Sequence, residues 1–152
     1  MRGSCIRRPA LAVAAWLLAA SGGQPEALGA EAESFRVVVN LENKLARIDQ
    51  EDLARIYLGK KTLWDWDARI VPAMLNEDAR LSQSFLETHL KRTVSQYRAY
   101  WKRLLFSGGG TPPRTFRTSA EVVEFVARQP GAIGVVEAGS VDARVRALDV
   151  DK

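Results

Sequence analysis

A chain of 152 residues, 47% hydrophobic and 26% charged, has the length of one domain and a globular rather than a disordered balance. Its net charge of +4 is too mild, and too spread along the chain, to argue for a nucleic-acid partner.

Arg2, Arg7 and Arg8 precede an apolar run, Ala10 to Ala20, that no charge interrupts. A positive segment before an apolar stretch this short reads as a secretory signal peptide, with an uncleaved membrane anchor as the alternative. Ala30-Glu31-Ala32 fits the small-x-small cleavage rule, and a cut nearer Ser21 or Gly22 is the other choice. Residues 1–32 are therefore expected to be signal peptide and flexible lead-in, and residues 33–152 one α/β domain in the periplasm. Cys5 lies before the apolar run, so it is not a lipid acceptor placed after one. Cleavage would leave no cysteine, and stability would rest on the core alone.

Phe35 to Asn40 predicts a first strand, whose run Val37-Val38-Val39 suits a sheet buried on both faces. Leu41 to Ala46 predicts a connection. Asp49 then caps a helix with Glu51 and Asp52 in its first turn, Leu53, Ile56 and Tyr57 on one face, and Gly59 as its stop. Lys60 to Asp67 is polar, with Trp64 and Trp66. Ile70 to Met74 predicts a second strand, in which Pro72 demands an edge or a bulge. Asn76-Glu77-Asp78 introduces a helix carrying Leu81, Phe85 and Leu90. The next helix, Val94 to Phe106, is expected to bury Val94, Tyr97, Trp101, Leu104 and Leu105 and to leave Arg98 and Lys102 in solvent. Ser107 to Pro113 reads as a loop. Ser119 is expected to cap a helix with Val122, Val123 and Val126. Pro130-Gly131 ends it, and Ile133, Val135 and Val136 follow as a buried strand. Gly134 inside that strand marks a close approach of another element or a ligand. Arg144 to Asp149 predicts a final edge strand. The order implies an α/β sandwich.

Enzyme signatures are nearly absent, and the chain is expected to be neither an enzyme nor a cofactor carrier. His89 is the single histidine and has no Cys, second His or carboxylate pattern for a metal. No Gly-x-Ser-x-Gly elbow occurs. Gly59-Lys60-Lys61-Thr62 lacks the earlier glycine and the closing Ser/Thr of a phosphate loop, and follows a helix. Gly108 to Gly110 follows a helix C-terminus, whose dipole repels anions, so it reads as a loop. The better anion geometry is Asn76 to Ser84, where a helix begins after a strand. Asn76, Arg80, Ser82 and Ser84 supply donors there, while Glu77 and Asp78 repel an anion.

Pro130-Gly131-Ala132-Ile133-Gly134-Val135, with Ser119 to Val123 before it, resembles the periplasmic phosphate-binding proteins of ABC transporters. Leu53 to Gly59, Trp64 and the Tyr100-Trp101 helix carry the resemblance upstream, over roughly residues 35–150. It implies a three-layer α/β sandwich like one lobe of a type II periplasmic binding protein. It also implies binding of phosphate or another small oxyanion, and an ABC transporter or other periplasmic protein as partner. The family's Arg-x-x-x-Ser-Gly-Thr stands here as Ser82-Gln83-Ser84, with no Arg four residues earlier. One lobe in place of two implies weak binding or a second wall from a homodimer or another protein. The alternative is a periplasmic interaction or sensory module that kept the fold and lost its solute.

Overall fold

The computed structural model describes residues 34–152; the predicted signal peptide and lead-in lie outside the described residues. Six strands form one mixed sheet: β1 (Phe35–Asn40), β2 (Arg47–Asp49), β3 (Val71–Leu75), β4 (Arg114–Phe116), β5 (Ala132–Glu137) and β6 (Val145–Asp151), in the order β2-β6-β1-β5-β3-β4. β1 runs antiparallel to both of its neighbours, β5 and β6. The remaining pairings are parallel, so β1 alone opposes the other five strands.

Four α-helices accompany the sheet: α1 (Gln50–Tyr57), α2 (Arg80–Phe85), α3 (Val94–Phe106) and α4 (Ser119–Arg128). A π-helical turn, Leu86–Leu90, continues α2. α4 covers one face. A Cβ on Gly134 would stand 2.7 Å from Val122 and 2.9 Å from Val126, so the glycine in β5 lets α4 lie close to the sheet. Asn40 faces the same helix and donates to the carbonyls of Val126 and Ala127, satisfying two acceptors of its last turn. The opposite face is covered by α1 and α2. There the Tyr57 hydroxyl donates to the Ala73 carbonyl at 2.8 Å, and Phe35 meets Phe85 edge to face. Val37, Val38 and Val39 are buried on both faces, as the unbroken apolar run predicts. The architecture is a three-layer α/β sandwich.

Several expectations need correction. Two short strands, β2 and β4, carry no legible alternation. β2 forms the edge expected of the last strand, while β6 lies inside, between β2 and β1. Pro72 also sits in an inner strand. β4 pairs with β3 only from Ala73 onward, and the Val71 N–H serves the β5 side through Gly131, so the missing Pro72 donor falls where no neighbour has begun. Thr118, not Ser119, caps α4, in a capping box with Glu121; the Ser119 hydroxyl instead accepts the Glu137 N–H. Gly131 keeps a negative φ. It is required because a Cβ there would fall 2.0 Å from the Arg69 carbonyl oxygen. Arg98 is not simply solvated: it holds Glu77 at 2.6 Å and Asp78 at 2.8 Å. Leu105 is half exposed rather than buried.

Candidate functional site

Because five strands run the same way, their carboxyl ends meet at one pole of the sheet, where α1, α2 and α4 begin. Free N–H groups and the positive end of the helix dipole make such a pole the place for an anion. The three helix starts are not equivalent. α1 opens with Asp49, Glu51 and Asp52, so its dipole is already matched by acid. At α4, the Glu121 carboxylate accepts the N–H groups of Arg117 at 2.9 Å and Thr118 at 3.2 Å, which fills the anion position from within the chain. α2 has neither a side-chain cap nor an acid in its first turn.

Of the predicted residues, Asn76 precedes that third start, and Arg80, Ser82 and Ser84 lie on α2 itself. The Asn76 N–H donates to the Phe116 carbonyl at 2.8 Å, joining the β3 exit to the β4 exit. Asn76 and Arg80 are exposed at the rim. Arg80 and Ser84 lie one turn apart on one face of the helix, so their side chains point the same way. Ser82 differs: it is 1% exposed and its hydroxyl donates to the Leu75 carbonyl at 2.9 Å, which ties the helix to the end of β3. Its place is as a brace of the rim. Glu77 and Asp78, expected to repel an anion, share one guanidinium, Arg98 from α3, which offsets one of their two charges. One residue escaped the sequence reading. Arg117 follows Phe116 directly, so the Asn76 bond brings it to the same rim, where it is exposed. Its signal was hidden because β4 itself was illegible.

His89 lies on the α1 and α2 face of the sheet, beside Phe35 at the start of β1. Its ring packs against Phe35 at 5.1 Å and Phe85 at 5.6 Å, with Nδ1 buried and unbonded among the described residues. Burial, with the charge of Lys91 as a smaller cause, holds its pKa below the ordinary imidazole value. Among the described residues no group of three or more His, Cys, Asp or Glu could hold a metal. No helix among them is long and apolar enough to cross a membrane.

The sheet order, the single opposed strand and the helix starts gathered at one pole define one lobe of a periplasmic-binding-protein-like fold. More narrowly, the fold is that of the phosphate-binding proteins. An ABC-type phosphate transport receptor from Vibrio cholerae matches with a TM-score of 0.63 at 22% identity, over 78% of this chain and 46% of that one. A putative phosphate ABC transporter substrate-binding protein with bound phosphate, from Clostridium perfringens, matches with a TM-score of 0.62 at 21% identity, over 77% and 44%. PstS from Borrelia burgdorferi matches with a TM-score of 0.61 at 20% identity, over 78% and 47%. The chain thus spans less than half the length of each of these proteins. No protein-family model matches the sequence, and no curated protein does.

Proposed function

We propose that this chain is an exported, non-enzymatic, solute-binding-protein-like domain that takes phosphate or a similar small oxyanion weakly, in association with an ABC transport system. The observation that carries the reading is the start of α2: of the three helix starts at the pole, it is the one that combines no side-chain cap with no first-turn acid. The ligand's oxygens would accept from N–H groups of that turn and from Asn76, Arg80 and Ser84, while Ser82 keeps the turn in place. The phosphate named for the Clostridium perfringens relative supports the choice of anion.

Calorimetric titration of phosphate and of sulfate tests this. Arg80→Ala should weaken phosphate binding by roughly tenfold, the scale of one lost charge-assisted hydrogen bond. No heat from any oxyanion, together with retained binding to a periplasmic protein, would favour the interaction module instead. Export has its own test. Mass spectrometry of periplasmic material should find the protein without residues 1 to about 30, whereas intact Met1 to Ala20 would count against a cleaved signal.

A further inference from the structure

The overall charge is mild, but it is not evenly placed. Residues 88–120 contain no Asp or Glu, while α3 and the two residues before Thr93 supply Lys91, Arg92, Arg98, Lys102 and Arg103. Arg98 is neutralised by Glu77 and Asp78, and Arg92 stacks over the Tyr100 ring at 5.2 Å. Lys102 and Arg103 enter no ion pair among the described residues.

The apolar pattern of α3 splits along the same line. Tyr97 and Trp101 turn inward. Ser95, Ala99, Lys102 and Phe106 recur at i, i+4, i+7 and i+11, so they share the opposite face, with Arg103 beside them, and all five are exposed. Phe106 is 84% exposed and projects from the last turn between two cations and the Gly108–Gly110 loop; half-exposed Leu105 stands next to it. Phe106 and Leu105 together form an exposed apolar tip flanked by cations, the pairing that a membrane-surface helix presents.

We infer that this face of α3 docks on an anionic phospholipid surface, with Phe106 entering the headgroup–acyl boundary and Lys102 and Arg103 pairing with lipid phosphates. Charge selects this occupant. A second copy of the chain would bring Lys102 and Arg103 against their own counterparts, which repel. A projecting ring needs a matching cavity on a protein, whereas a fluid surface admits it without one, and the long cationic stems reach back to the phosphates. The inference is independent of oxyanion binding at α2.

The test uses the full chain and vesicles of phosphatidylcholine containing about 30% phosphatidylglycerol. Phe106→Trp places a reporter at the tip. Lipids brominated in their acyl chains should quench the emission that this tryptophan adds over the parent chain. In the same reporter chain, Lys102→Gln and Arg103→Gln should each raise the lipid concentration for half-maximal quenching by about fivefold. Neutral vesicles should give little added quenching. The side chains concerned are exposed, so the variants should melt as the parent does. An unquenched reporter, or quenching indifferent to phosphatidylglycerol and to both charge substitutions, overturns the proposal. So does an unquenched reporter that becomes protected only by an acidic protein.

Discussion

Gly131 and Gly134, three residues apart in the sequence, are glycine for different reasons. At Gly134 an added Cβ meets methyl groups of Val122 and Val126 at 2.7 and 2.9 Å, so these side chains, or α4 with them, must shift. At Gly131 it meets a backbone carbonyl, and that same residue's own carbonyl accepts the Val71 N–H and the Trp64 indole N–H. Gly134→Ala should therefore cost about 1–3 kcal/mol, while Gly131→Ala should cost about 3 kcal/mol or more, since the β3 entry must shift. Denaturant melts of the two variants check the order; equal losses would mean that the Arg69 segment moves freely. The Pro-Gly-Ala-Ile-Gly run was legible as a helix end, a strand and a close approach. At Gly134 the approach is tight helix-to-sheet packing, from the helix just before it; what pressed on Gly131 was not legible, because Arg69 lies far away in sequence. Ser82 shows the same limit at the rim. Its type suggested an anion donor, and only the fold reveals that its hydroxyl serves Leu75.

At the level of elements, α3 was the clearest helix in the sequence; of its expected inner face Tyr97 and Trp101 are buried, while Leu105 is not. Its work is to close the end of α1. Gly59 takes the left-handed turn, with Lys60 N–H on the Arg55 carbonyl and Gly59 N–H on that of Ile56. The carbonyls of Tyr57 and Leu58, next in line, accept from the hydroxyls of Tyr97 and Tyr100. Trp101 lies on the Cα of Gly59, where a Cβ would come within 2.8 Å of the ring. Trp101→Ala opens this junction and should cost about 3–5 kcal/mol. A loss below about 1 kcal/mol in a urea melt would contradict the packing. The π turn after α2 supports a second expectation. Its His89 has a lowered folded pKa, so the unfolded chain binds the proton more readily. Stability should be complete above the unfolded value of about 6.5 and fall as the pH drops through it towards the folded value. In His89→Phe, melting temperatures between pH 7.5 and about 5 should fall less than in the parent. A parallel decline would assign the pH dependence to other groups. Short strands are where the sequence failed: β2 and β4 have three residues each, too few to display a period of two, and their pairing comes from neighbours.

For the whole molecule, what decides affinity at the proposed α2 site is that the described residues wall it on one side. The rim residues Asn76, Asp78 and Arg80 are exposed, so an anion held at α2 would keep water on its far side. Hydrogen bonds made there replace only part of the hydration shell and gain little over water. The monomer should therefore bind phosphate with a dissociation constant on the order of millimolar, worth about 4 kcal/mol. A second wall changes this in two ways: it excludes water, which strengthens each charge-assisted bond, and it adds donors from the other side. Glu77→Gln separates the rim's own field from that closure. Arg98 already offsets this carboxylate, so removing its charge should raise affinity only slightly, by about twofold, and should leave the need for a second wall untouched. Titrations at protein concentrations that keep the chain monomeric, repeated with a homodimer or with a periplasmic partner present, measure both effects. Affinity rising by tenfold or more on association would identify the second wall. Micromolar binding by the isolated monomer, indifferent to Arg80→Ala and Glu77→Gln, would move the site away from α2 altogether.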